Sequence, residues 1–467
     1  MTKARGNTIK GYLPNDVPDG GQLVLLGFQH VLTMFPATVF VAALTGFHVG
    51  TVLLASGIST IVALALSKWR IGKFIPLFYG SSFSYIAAYL GIVSQATGGA
   101  PQFGVPVPND VISTMQAGIV VTGILNMLVG LVIKWVGKDA IDKVLPPIVT
   151  GSVAAIIGFG LAFAALGMAQ ANLLVAFLTL LVTILFSVYL QSKGFIGMLP
   201  ILLGAIAGYI ISTLVDPGSV SFASVGSADW FTMPVITFPS FSGPLVGTAI
   251  FSVSIMAIAT IPESTAHLYQ ISLYVDRFAD ELNEDKYELD QHIGFNLILD
   301  GIGDFLNGLV GATAGTNYGE NNSLMAITRN YSGPALMAAG VISILLGFVG
   351  KLAALVGTVP LAVSGGLAVY LFGVIGMQGI ALMQENDVSM FDPRNLAVGA
   401  TIMVVGIGGN IGFEGGFIPV TVPVIFPNGL PAIATAAVLG ILMNAIFLIF
   451  KTPQEKEAAE AALQAAD

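Results

Sequence analysis

The sequence predicts an all-α polytopic membrane protein with 14 transmembrane segments arranged as a 7+7 inverted repeat. Three observations predict it. Many apolar runs are long enough to cross a bilayer, the basic residues fall almost entirely on one side of the resulting layout, and short motifs recur in order in the two halves.

The apolar runs decide the class. Of 467 residues, 55% are hydrophobic and only 9% charged, against roughly 25% charged in ordinary soluble domains. So little charge cannot cover the surface of a soluble chain of this length. Runs of about 20 apolar residues cross the hydrocarbon core as helices, because lipid offers no partner to a backbone N–H or C=O. The short alternating segments of a membrane β-barrel are not seen. The net charge of −9 comes from few charges, mostly outside the apolar runs, and points to no nucleic acid or other charged partner. Without cysteine there is no disulfide and no thiolate metal site. The polar start over 1–20 lacks the layout of a signal peptide, so the first apolar run reads as a retained span.

The segments lie near 22–47, 49–67, 76–93, 115–136, 145–167, 171–190, 195–215, 243–275, 291–309, 311–328, 333–355, 358–382, 396–408 and 430–450. The third, tenth and thirteenth are short or interrupted by glycine, and the third and tenth are expected to hold short β-like stretches followed by half-helices. Positive charge collects on the cytoplasmic side. With the N-terminus inside, Lys3, Arg5, Lys10, Lys68, Arg70, Lys73, Lys134, Lys138, Lys143, Lys193, Arg277, Lys286, Arg329, Arg394, Lys451 and Lys456 all fall inside, 16 of 17, and only Lys351 falls outside. Both termini are then cytoplasmic, with a short Ala/Glu-rich tail from Lys451. The charged stretch Asp276 to Asp290 reads as a solvated linker between the halves.

The repeat rests on two motif pairs. Tyr79-Gly80-Ser81-Ser82 in the third segment matches Tyr318-Gly319-Glu320-Asn321 in the tenth, 239 residues later. Pro146-Pro147-Ile148-Val149-Thr150-Gly151 in the fifth matches Pro360-Leu361-Ala362-Val363-Ser364-Gly365 in the twelfth, 214 residues later. Seven segments per half is an odd number, so the second copy enters the membrane upside down. Inverted repeats with paired broken segments point to a transporter whose site lies near the bilayer midplane.

Ionisable residues at membrane depth are expensive and therefore candidates for function. Glu320 stands in the interrupted tenth segment, where Gly315 and Gly319 free the backbone and a half-helix start would offer unpaired N–H groups. Phe83, after Tyr79-Gly80-Ser81-Ser82, offers a ring to stack on a flat ligand at the matching start. Glu263 and His267 share one face of the eighth segment at i, i+4 spacing, a pairing suited to taking up and releasing a proton. Pro262 loosens the helix beside them. Asp300 and Asp304 in the ninth segment either assist the proton path or cap and brace helices. His30, next to Gln29, reads as an interhelical hydrogen-bonding residue, and Glu414 as solvated. No His-Glu-x-x-His, Gly-x-Ser-x-Gly or phosphate-loop motif appears, which argues against a membrane enzyme.

At these residues the chain resembles the nucleobase–ascorbate transporter family, and within it the bacterial uracil:proton symporters. The family signature reads here Glu320-Asn321-Asn322-Ser323-Leu324-Met325-Ala326-Ile327-Thr328-Arg329, with Ser323 in place of a glycine. Gly80-Ser81-Ser82-Phe83, Gln29-His30 and Glu263 with His267 also match family positions. The resemblance covers about residues 21 to 450. It implies a core domain (22–136 and 243–355) and a gate domain (145–215 and 358–450), flanked by cytoplasmic ends at 1–21 and 451–467, in a multi-pass protein of the cell inner or plasma membrane. It implies proton-coupled uptake of uracil by an elevator-like movement of the core past the gate, in a homodimer, with the proton as coupling ion and no further cofactor. Substrate would be held by Glu263, Glu320, Phe83, Tyr318, Gly319 and Ser82. Glu263, His267 and Asp300 would carry the proton, His267 by supporting Glu263. Purine relatives commonly carry Gln at the position of Glu320, which favours uracil over xanthine. Phe372 stands where the uracil branch usually has Tyr.

Overall fold

The computed structural model describes residues 11–136, 143–191, 193–423 and 426–450. The expectations for the extreme ends, and for Lys3, Arg5, Lys10, Lys138, Lys451 and Lys456, lie outside these residues. The first half runs through α1 (Gly20–Thr45), α2 (Val49–Ile71), strand β1 (Tyr79–Ser81), α3 (Ile86–Thr97), α4 (Asn109–Val136), α5 (Pro147–Gly160), α6 (Ala162–Ala169), α7 (Leu173–Tyr189) and α8 (Pro200–Val215). A short α9 (Ala223–Ser227) lies in the connection. The second half holds α10 (Val246–Ser254), α11 (Ala257–Glu281), α12 (Ile293–Val310), strand β2 (Gly315–Asn317), α13 (Gly319–Thr328), α14 (Gly333–Gly347), α15 (Gly350–Val356) and α16 (Leu361–Glu385). It ends with α17 (Pro393–Met403), α18 (Gly409–Gly412), the paired strands β3 (Phe417–Ile418) and β4 (Leu430–Pro431), and α19 (Ala432–Ile449).

Among the described residues, nine helical stretches are long and apolar enough to cross a membrane. Three further helices, α7, α8 and α14, are apolar but shorter.

The two interrupted segments cross at the centre of the molecule. β1 and β2 pair antiparallel with Tyr79 opposite Asn317, Gly80 opposite Thr316 and Ser81 opposite Gly315. Each strand leads toward a short helix, α3 after a 3-10 turn at Phe83–Tyr85 and α13 directly. Gly80 is required by packing: a Cβ there would meet the Tyr318 ring at 2.5 Å.

Glycine seams hold the long helices together. In the α2–α14 contact Gly50 faces Gly347 and Gly57 faces Gly340; in the α4–α12 contact Gly123 faces Gly301 and Gly130 faces Gly294. A Cβ on Gly50, Gly57, Gly123 or Gly130 would lie 2.3–2.6 Å from a carbonyl oxygen of the facing helix. Such small-residue seams let membrane helices approach closely where burial of apolar surface offers little gain over lipid. Gly50 and Gly57 precede Gly294 and Gly301 by 244 residues, and Gly123 and Gly130 precede Gly340 and Gly347 by 217.

One expectation needs correcting. The stretch Asp276 to Asp290 does not join the two halves: α11 continues to Glu281, and the largely exposed turn that follows leads into α12 within the second half, tied back to α11. Asp276 Oδ1 accepts from the Tyr287 and Glu288 N–H groups at 2.7 and 3.1 Å, and Ser272 Oγ donates to Asp290 Oδ1 at 2.9 Å. These acidic side chains find backbone and hydroxyl donors in a tight connection, where sequence alone shows only charge.

Candidate functional site

A cavity of about 550 Å³ opens beside the β1–β2 crossing. One wall is built from the 3-10 turn after β1, from β2 and the start of α13, and from one face of α11. The opposite wall comes from α5 and α16. All of the predicted ligand-contacting residues line it: Ser82, Phe83, Glu263, Tyr318, Gly319 and Glu320. His267 lines it as well, while Asp300 lies behind the wall. Among the described residues, no Lys or Arg faces this space.

Two carboxylates bring unspent hydrogen-bonding capacity to the cavity. Glu320 sits in the first turn of α13, after Tyr318 at the N-cap, and its side chain is exposed at the cavity mouth with Ser323. Glu263 lies on α11 just after Pro262, half-buried, a turn and a half beyond the break between α10 and α11. Neither carboxylate has a hydrogen-bond partner among the described residues, so both can accept from a ligand. The α13 start adds N–H groups that no helical carbonyl satisfies. Across from it, Ser82 caps the 3-10 turn by accepting from the Ser84 N–H at 3.2 Å. The Phe83 ring follows, backed by Phe40 with 6.4 Å between ring centroids. An aromatic face, two carboxylates and two sets of helix-start donors suit a flat, amide-rich heterocycle.

The other candidate residues serve the frame. Tyr318 is buried and its hydroxyl is spent, donating to Ser81 O at 2.8 Å and bonded to Thr38 at 2.9 Å. Its phenol therefore fixes the strand crossing and leaves only its backbone and ring edge to the cavity. Gly319 brings the chain against His267: a Cβ there would stand 2.7 Å from the imidazole Nε2. His30 is an interhelical bridge as expected, with Asn321 Nδ2 donating to His30 Nδ1 at 3.0 Å and to its carbonyl at 3.1 Å. Asp304 braces the strand, accepting from Gly315 N–H at 2.6 Å and Asn126 Nδ2 at 3.1 Å. Glu414 is exposed, as expected, on the rim of a separate cavity of about 920 Å³. Phe372 is buried and does not line the candidate site.

Sequence reasoning missed the partner of His267. Its Nδ1 lies 2.9 Å from Asn317 O and 2.8 Å from Asn317 Oδ1, and no hydrogen bond joins it to Glu263. It also missed the polar groups of the second wall, Thr150 and Gln378, and Gln270 on α11. For Gln378 a signal existed: Leu371, Val374, Ile375, Gln378 and Leu382 follow helical spacing on one face of α16, all lining the cavity.

Comparison with known proteins gives the family and the fold. The chain matches a permease family over residues 21–415. It is 32% identical over 458 residues to the uracil permease of Bacillus caldolyticus, covering 95% of both chains. It is 31% identical over 458 residues to that of Bacillus subtilis, again with 95% of each covered, and 32% identical over 450 residues to that of Escherichia coli, covering 93% of this chain and 94% of the relative. Among solved structures, the transmembrane domain of a cyanobacterial bicarbonate transporter, BicA, superposes with a TM-score of 0.56 at 16% identity, covering 85% of this chain and 98% of that one. The murine Solute Carrier 26 family member A9 anion transporter, in its inward-facing state, superposes with a TM-score of 0.59 at 13% identity, covering 96% and 74%. At such identities these two show the fold alone. The long apolar helices, the crossed broken segments and the signature from Glu320 to Arg329 thus meet in one conclusion: this chain is a multi-pass membrane transporter, not an enzyme, and belongs to the nucleobase–ascorbate permease family.

Proposed function

We propose that the protein takes up uracil together with protons across the cytoplasmic membrane. The observation that carries this reading is a pair of unpaired carboxylates, Glu263 and Glu320, facing a space shared with Phe83 and the start of α13. Uracil presents two ring N–H donors and two carbonyl acceptors on a flat ring. Carboxylates accept the former, helix-start N–H groups serve the latter, and the phenyl face takes the ring. The names of the relatives support uracil as substrate. The absence of any lining Lys or Arg, among the described residues, argues against an anion exchanger or channel despite the shared fold.

The 7+7 architecture is supported by the seams. An inversion that maps α2 onto α12 and α4 onto α14 exchanges the two glycine contacts, and the offsets of 244 and 217 residues fall in line with the 239 and 214 of the sequence motifs. The nine long helices, three shorter apolar ones and two strand-interrupted segments support 14 spans. In this arrangement α1–α4 with α10–α15 form the moving core, α5–α8 with α16–α19 form the gate, and the cavity lies at their seam. With both termini cytoplasmic, the exposed residues Ala266, Glu320, Ser323 and Gln378 mark a mouth toward the inside. The protein then works in the inner or plasma membrane, as a homodimer, with the proton as its only coupling ion.

Thermal-shift measurements on purified protein with uracil, xanthine, uric acid and ascorbate test the substrate. A bound ligand stabilises the folded state by mass action. Uracil alone, or uracil far above the others, is the expected stabiliser; stabilisation by xanthine but not uracil turns the assignment to purines.

A further inference from the structure

Resting on the nucleobase reading of this cavity, we propose that Asn317 is a positioning residue that ties His267 to Asp300, so that the imidazole presented to the substrate follows the protonation state of a carboxyl group outside the cavity wall. Asn317 is fully buried at the end of β2. Its backbone O can only accept, so the 2.9 Å contact makes His267 Nδ1 the donor, and Asn317 Oδ1 at 2.8 Å shares that proton. In the neutral imidazole the other nitrogen, Nε2, then carries the lone pair, next to Gly319 at the cavity.

The amide nitrogen of Asn317 faces the other way. Nδ2 donates to Ser264 Oγ at 2.7 Å and to Asp300 Oδ1 at 3.4 Å. Ser264 Oγ also accepts from Asn296 Nδ2 at 2.8 Å, which holds it in place beside the amide. An ionised Asp300 thus accepts from the Asn317 amide, and its pull together with that of Ser264 fixes the amide with its oxygen toward His267. A proton arriving on Asp300 removes acceptor capacity from that oxygen. The longer Asn317 contact is the one released, and the amide that orients the imidazole is then held by Ser264 alone. No covalent step is needed; one hydrogen-bond relay reports one proton. The other titratable groups facing this relay are Glu263 on α11, Asp304 on α12, Tyr79 on β1 and Glu320 on α13.

The test is ¹⁵N NMR of histidine-labelled protein, with the His267 signal identified among the 4 histidines by its loss in His267→Gln. The expected parent spectrum shows Nδ1 protonated, with a step in the Nε2 shift as the pH is lowered. That step persists in Glu263→Gln and disappears in both Asp300→Asn and Asn317→Ala. Uracil affinity by calorimetry falls about tenfold in Asn317→Ala and loses its matching pH step. A step retained in Asp300→Asn, or a parent protonated on Nε2, overturns the proposal even if Asn317→Ala fails to fold. Because the spectra need no substrate, an intact step in protein that does not bind uracil sinks the uracil reading and leaves this relay standing.

Discussion

The two walls of the cavity are built by different rules. The wall formed by β1, β2, α11 and α13 is dense with polar side chains, and most of them are committed to one another: Tyr318 to Ser81, His267 to Asn317, Asn322 to the His267 carbonyl. Within it the carboxylates of Glu263 and Glu320 have no hydrogen-bond partner among the described residues. The wall formed by α5 and α16 is apolar apart from Thr150 and Gln378. A network of directional hydrogen bonds holds a ligand in one orientation, whereas an apolar helix face can slide against a partner without breaking specific bonds. On the proposed function, recognition belongs to the first wall and closure to the second.

The largest expected effect tests the first wall by its coupling. If Glu263 carries the proton, Glu263→Gln abolishes uphill uracil accumulation in proteoliposomes with an inward proton gradient, while exchange of uracil across the membrane persists. Accumulation with unaltered pH dependence in that variant would move the proton to another group.

Next comes Glu320. Glu320→Gln replaces an acceptor by a donor, leaving a ring N–H facing another N–H, at a cost of roughly 1–3 kcal/mol. Uracil binding by calorimetry is expected to weaken at least about tenfold, and xanthine binding, where present, less. Parent-like uracil affinity removes Glu320 as the reader of the ring.

Phe83 contributes through its face. Stacking of a base on an aromatic ring is worth roughly 1–3 kcal/mol in nucleic-acid systems, so Phe83→Ala is expected to weaken uracil about tenfold with little change in expression. If the affinity is unchanged, the ring is packing against Phe40 and nothing more.

The smallest effect is expected on the second wall. Gln378 is exposed on α16, and Gln378→Ala should alter uracil affinity by no more than about twofold, the range of surface changes remote from a specific contact. A loss as large as that of Phe83→Ala would erase the contrast between the walls and make Gln378 a ligand residue.

Much of this molecule was legible before any coordinates. Transmembrane helices follow from apolar length, because lipid forces every backbone group to pair within its own segment. Glu263, Glu320 and Phe83 stood out for the same reason: a charge in an apolar run is costly, and paired glycine interruptions at 315–319 and around Gly80 mark where a helix must start anew. The i, i+4 spacing of Glu263 and His267 suggested a local pair, and that was as far as helix geometry could reach. The fold instead sets β2 against α11, and the Asn317 carbonyl and amide, 50 residues away in sequence, take the imidazole. The heptad-spaced glycines at 50, 57, 123, 130, 294, 301, 340 and 347 were equally visible as letters, yet which faces which is set only by packing. The sequence by itself determined the membrane class, the broken segments and the charged residues at their centre, because these depend on solvent and on local backbone freedom. The tertiary structure alone decided which polar groups are spent on one another and which stay free for a ligand, because hydrogen-bond partners are chosen by distance in space and not along the chain.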